Sequence, residues 1–312
     1  TALTSGNYNT ALGGNAFITA TDGHSNTALG MSALKLTTSG TFNAAVGRNS
    51  LANNTVGGLN TALGSYALET NVDGSRNVAV GYGALRTYEP SSAADTYNTA
   101  VGYAAGSSLT TALYNTFIGA DAGATATTAA QNTAVGFEAY KGNTNTGEGN
   151  TAIGMRAMGN SACTSADYNV AVGIQSGYNI QSASKNVFLG YNAGLNQTTG
   201  DDNVYIGKDA GRLSTTGSGN VAIGVDSLES LTGAKHNNTA IGRDTMKSMT
   251  TGHDNIAIGA YALDAADSAS NTQNICIGVY SGSGALAGYG NVFVGYQTAA
   301  IATSAQHNVA IG

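Results

Sequence analysis

Tryptophan is absent from these 312 residues, proline occurs once, cysteine twice and histidine four times, and only 10% of the residues are charged. Each scarcity narrows the field. With a formal net charge of −6 and no basic cluster, the chain carries no electrostatic footprint for nucleic acid. No apolar run is long enough to span a membrane or to serve as a signal peptide, so this segment is not expected to insert in a bilayer. Signatures of catalysis are missing as well. There is no nucleophile-elbow pattern or recurrent triad order, the recurring glycines mark corners instead of forming a phosphate-cradling loop before a helix, and no Gly-Gly-x-Gly-x-Asp calcium repeat occurs. The chain is therefore read as no enzyme, with no cofactor and no metal.

What fills the chain is a five-residue motif, seen at 98 to 102 as Asn-Thr-Ala-Val-Gly. Eighteen copies begin at Asn9, Asn26, Asn43, Asn60, Asn77, Asn98, Asn115, Asn132, Asn150, Asn169, Asn186, Asn203, Asn220, Asn238, Asn255, Asn274, Asn291 and Asn308. Twelve of the seventeen intervals are 17 residues and none exceeds 21, a spacing tight enough to mean one structural unit per repeat. Such periodicity overrides the disorder that low charge and 44 glycines would otherwise suggest. No shift of composition divides the chain, so residues 1–312 read as a single array. It starts inside a coil without an initiator Met and stops on a corner Gly, as a section of a longer fibre would.

Position by position, the motif describes a strand. The second residue is Thr, Val or Ile except at Ala44, and the fourth is always Leu, Val or Ile. β-branched residues two apart suit the alternating faces of a short strand. The third residue, usually Ala, is apolar too, which predicts a strand buried on both faces with the motif Leu, Val and Ile as core. The invariant Gly permits a positive φ and a sharp corner. A small residue follows three positions later, then often a Leu, and this stretch reads as a second strand or its approach. The fold class is thus all-β: a parallel β-roll or β-solenoid of about 17 residues per coil, with coils about 4.8 Å apart and eighteen of them making a rod about 80 Å long. Recurring at one corner, the Asn amides are placed to bond the coils above and below or the local turn.

A three-sided hexapeptide helix does not fit, because the site six beyond the motif aliphatic holds Lys35, Glu69, Arg86, Lys141, Arg212 or Asp264. One apolar ribbon per coil needs a partner outside its own coil, and identical chains packed around an axis supply it. Spacing alone leaves two or three chains open.

At this point a resemblance enters. Asn220-Val221-Ala222-Ile223-Gly224 and Asn308-Val309-Ala310-Ile311-Gly312 resemble the Ser-Val-Ala-Ile-Gly repeats of trimeric autotransporter adhesin heads. Asn60-Thr61-Ala62-Leu63-Gly64, followed by Ala67-Leu68, is similar to repeats of bacteriophage tail-fibre proteins and related bacterial surface fibres. The likeness covers the whole chain; Asn stands where the adhesins usually have Ser, and the period is longer. It implies a left-handed β-roll, a homotrimer, and a role in attachment at an extracellular location, on a virion tail fibre or a bacterial surface.

Candidate side chains are weighed against that background. Tyr82, Tyr103, Tyr191 and Tyr296 follow a corner Gly directly, while Tyr8, Tyr97, Tyr114 and Tyr168 precede a motif Asn. Stacked aromatic rings with hydroxyl tips are candidates for contacting a cell-surface glycan, although covering coil edges or sealing the seam between chains is the favoured reading. His24, His236, His253 and His307 fall in turns, and His236 with His253 on successive coils is the one conceivable metal pair, although no carboxylate or Cys recurs beside it. Cys163, in a long loop, and Cys276, in a motif strand, lie seven copies apart, too far for an intrachain disulfide. Cys276 reads as a small core residue, and Cys163 as a candidate for crosslinking chains. The leading expectation is a non-enzymatic homotrimeric fibre shaft that supports attachment to a cell-surface glycan or protein receptor. The alternative is that the array itself is the glycan-binding adhesin. An ice-binding solenoid is disfavoured, because the Thr column gives way to Val or Ile at 78, 170, 187, 204, 221, 256, 275, 292 and 309.

Overall fold

The computed structural model describes residues 5–90, 92, 94–142, 146–160, 163–265, 272–284, 288–301 and 304–312. Among them the chain is a parallel β-solenoid of about 17 residues per turn with no helix. Its contacts group into two compact units, Thr1–Met155 and Arg156–Gly312. The first carries nine three-residue strands, from β1 (Thr10–Leu12) to β9 (Thr151–Ile153), and the second nine more, from β10 (Val170–Val172) to β18 (Val309–Ile311). Within each unit every strand pairs in parallel with the next, residue for equivalent residue: Thr27 with Ala44 and then Thr61, Val187 with Val204 and then Val221. One motif copy gives one strand and one coil.

The side-chain directions correct the expected core. Strand residues alternate in direction, and it is the third position that points inward: Ala45, Ala62, Ala100, Ala222 and their equivalents between the two end coils are buried. The second position is mostly half-buried, and the fourth is half-buried to exposed, reaching 45% at Leu189 between the end coils. The motif Leu, Val and Ile therefore do not form the core of their own chain. That core is thin. Across from the Ala column lies a column set four residues after the corner Gly, with Leu34, Leu51, Leu68, Leu85, Leu228 and Leu263 at its most regular sites. Each fully buried Leu there stabilises the coil by about 2 kcal/mol.

The segment after the corner is not a second strand. Its backbone takes a positive φ at every other residue, as at Ser32 (60°) and Leu34 (47°), or Asn49 (56°) and Leu51 (49°), which keeps it from extending. Hydrogen bonds between coils continue there regardless: Leu34 N–H donates to the Ser50 carbonyl and Ser32 N–H to the Gly14 carbonyl. The corner glycines meet two demands at once. Gly190 has φ +140°, and a Cβ on it would lie 2.5 Å from the Gly207 carbonyl oxygen of the next coil.

From Asn26 to Asn291 the motif Asn residues are buried, and they bond from coil to coil as their recurrence suggested. Asn220 Oδ1 accepts from the Asn238 backbone N–H (3.0 Å) and from its Nδ2 (3.1 Å). Its own Nδ2 donates to Asn203 Oδ1 (3.2 Å) and to the Lys235 carbonyl (2.9 Å). The same ladder joins Asn9, Asn26 and Asn43 in the first unit. Buried amides this fully bonded align each coil on its neighbour residue for equivalent residue. Part of the 87–95 insertion, Ser91 and Ala93, lies outside the described residues, as do Thr1 to Thr4. Its Glu89 carboxylate accepts from Val72 N–H (2.8 Å), tying the insertion to the coil before it.

Candidate functional site

Because Asn and the third residue face inward, the second and fourth residues face out, and they form a ribbon that recurs on every coil. None of the eighteen copies has a charged residue at either place. The surface widens beside the ribbon at the residue after each corner Gly, where Met31, Phe137, Met155, Ile174 and Val225 are exposed and so are the charged Arg48, Lys208 and Arg243. Exposed apolar rows of this kind are characteristic of interaction faces. The ribbon's composition differs between units. The first has Thr at the second position of seven strands (10, 27, 61, 99, 116, 133 and 151); in the second unit Thr239 is the one exception to Val or Ile.

All four candidate tyrosines, Tyr82, Tyr103, Tyr191 and Tyr296, stand exposed in that widened column. The structure brings two of them together. Tyr82 and Tyr103 stack with centroids 5.6 Å apart and planes 9° from parallel, and Tyr66 meets Tyr82 edge-on at 5.5 Å. Tyr191 and Tyr296 stand apart, Tyr191 in a column whose adjacent members are Ile174 and Lys208 and Tyr296 beside Val279. Sugars pack their C–H groups on open aromatic faces, whereas the Tyr82–Tyr103 pair turns faces toward each other and edges outward. The same column elsewhere mixes Met31, Phe137, Met155, Ile174 and Val225 with Arg48, Lys208 and Arg243, so no aromatic platform runs along it.

Sequence reasoning overlooked the neighbours. Tyr66 carries the Arg86 guanidinium over its ring at 5.0 Å and Arg48 at 5.7 Å, and Arg86 also pairs with Glu69 at 2.9 Å. Tyr97 stacks on Tyr114 (5.9 Å) and Tyr261 on Tyr280 (4.9 Å). Equal offsets from successive motif Gly or Asn residues were the available signal: residues at one offset stack.

Apart from Arg48, Lys208 and Arg243, the charges sit in other columns, and the one holding Arg212, Glu229, Lys247 and Asp264 alternates in sign. Arg212 pairs with Glu229 (2.6 Å), and Lys247 Nζ bridges Asp226 and Asp244 (both 2.9 Å). Hydrogen bonds donated to Asp226 and then to Asp244 hold the Lys247 ammonium well above the usual lysine range. Burial would raise the Asp244 carboxyl, yet the Lys247 hydrogen bond and charge outweigh it and leave it lowered.

The histidines are engaged singly. His236 Nδ1 accepts from Ser218 N–H (3.1 Å), His253 Nδ1 faces Asp254 (2.7 Å), His24 packs edge-on against Phe42 and His307 against Tyr289. Among the described residues no group of three or more His, Cys, Asp or Glu is placed to hold a metal ion, and no helix is long and apolar enough to cross a membrane. Both cysteines are fully buried, so Cys163 is not displayed for crosslinking as its loop position suggested. Burial pushes the Cys276 thiol up to about 12. No protein-family model matches the chain, and no curated protein matches it.

Proposed function

We propose that this chain is a non-enzymatic shaft segment of an extracellular fibre, in which three copies pack side by side as a left-handed β-roll and support attachment of a phage tail or a bacterial surface to its target. One observation carries the reading: the uncharged apolar ribbon that every coil turns outward, away from its own core. A single chain leaves that ribbon in water. Identical chains present ribbons of the same rise and spacing, so they complement one another along their length, and three around an axis cover all of them. The sequence resemblance to tail-fibre and trimeric adhesin repeats points the same way, and the sameness of the coils suits a spacer more than a localised site.

Aspartate at both Val204 and Ile206 tests this. These side chains lie outside the chain's own core, so the coil is expected to keep its β-rich circular dichroism while the assembly dissociates to single chains. An unchanged assembly mass would refute the shared ribbon. The second reading, a glycan-binding array, is favoured only by the exposed tyrosines. Binding to a glycan array that disappears with Tyr82→Ala and Tyr103→Ala, at unchanged mass, would establish it over the spacer.

A further inference from the structure

Strand pairing, the Asn ladder and the Gly corners are nearly the same in every coil, so none of them tells a coil which neighbour is correct. A slip by one repeat would preserve all three. What differs along the array is the interior, besides the surface columns and the length of some loops. At the third motif position Ala is replaced by Phe117, Phe188, Tyr205, Cys276 and Phe293, and glycine stands in the coils of the first four and in those before Phe117, Phe188 and Phe293, in a column that otherwise holds Leu, Met, Phe17, Tyr140 or Ala299.

The match is steric and extends over two coils. A Cβ on Gly123, in the same coil as Phe117, would lie 2.7 Å from that ring. One on Gly106, in the coil before, would lie 2.9 Å from it and 3.0 Å from Leu85. Phe188 repeats the arrangement, at 2.8 Å from a Cβ on Gly177 in the preceding coil and 2.5 Å from one on Gly194 in its own. Tyr205 stands 2.5 Å from a Cβ on Gly211. Each ring fills the space that a Leu occupies in other coils.

We infer that these aromatic residues and the glycines facing them are register keys, which decide which coils can stack on which while the array folds. An aromatic coil set on a Leu coil places a ring in occupied space, and a Gly coil set beneath an Ala strand leaves a cavity. Both errors are destabilising, and the native order alone avoids them at every step. Register in a nearly uniform array is otherwise weakly specified, and repeat proteins misassemble for that reason.

The test levels one key with Gly106→Leu, Phe117→Ala and Gly123→Leu. Leu is compatible with the backbone there, since Leu68 and Leu85 hold φ 50° at equivalent sites and Gly106 and Gly123 hold 58°. The chain is unfolded in denaturant and diluted at a concentration where the unchanged protein recovers about half its native species, the rest misassembling. Recovery is read by native electrophoresis and by hydrogen exchange of the strand amides. The levelled chain is expected to recover roughly two-fold less native species, with an unaltered unfolding midpoint for what does recover. Equal recovery would overturn the inference and leave the pairs as volume matching only. Should the levelled chain fail to fold in cells, a key added by Leu51→Gly, Ala62→Phe and Leu68→Gly decides: higher recovery than the unchanged protein supports the inference, and no gain overturns it.

Discussion

The single side chain on which most depends is the motif Asn. Replacing Asn220 by Ala orphans the Asn238 backbone N–H and removes one of the donors to Asn203 Oδ1, which keeps the residue-220 backbone N–H, in a buried setting. A loss of about 1–3 kcal/mol is expected from those unmade bonds, read as a lower denaturant midpoint. The exposed neighbour Asn237, changed to Ala, is expected to shift stability by less than about 0.5 kcal/mol. The thiols make a second residue-scale prediction. With both cysteines buried and Cys276 held to about 12, neither is expected to take up maleimide in the native protein at pH 8, and both should in denaturant. A mass shift on the native chain would contradict that. Legibility at this scale was mixed. Strand, corner Gly and laddered Asn follow from residue types alone, but both faces of the motif are apolar, so the pattern does not say which is inward. The smaller residue, Ala, takes the interior because the facing Leu column leaves only a thin gap.

Within a coil, the post-corner segment was the least legible part. Leu34 and Leu51 do not advertise a positive φ, and only the coils with Gly106, Gly123 or Gly194 at that offset hint at it. Gly194→Ala is expected to cost about 1–3 kcal/mol, since its Cβ would sit 2.5 Å from Phe188. Pairing it with Phe188→Leu should recover part of that in a double-mutant cycle. The charged columns predict a pH dependence. Asp244 is lowered, so its contribution is present above the ordinary carboxylate range and lost as pH falls through its lowered value; Lys247 is raised, so its contribution is present below the ordinary lysine range and lost only as pH rises beyond it. Lys247→Gln is expected to cost about 1 kcal/mol or less at neutral pH, since Lys247 is a third exposed and screened. The difference from the unchanged protein should shrink in acid, as thermal midpoints across pH will show.

At the scale of the whole molecule, the account rests on a surface that the chain does not bury for itself. Its two units present that surface differently, with Thr columns in the first and Val or Ile in the second. Burying a carboxylate against aliphatic partners is the costlier error, so Val204→Asp is expected to weaken assembly more than Thr116→Asp, measured as the dissociation midpoint on dilution. That the sequence suggests an outside partner at all comes from one apolar strand per 17-residue coil, with charges such as Glu69 and Arg212 where a self-contained helix would need aliphatics. The mass of the native assembly by light scattering is the most direct test. Three times 31.1 kDa is the predicted value. A folded monomer of 31.1 kDa would contradict the shared-ribbon account, and the outward face would then be a surface for something other than copies of this chain.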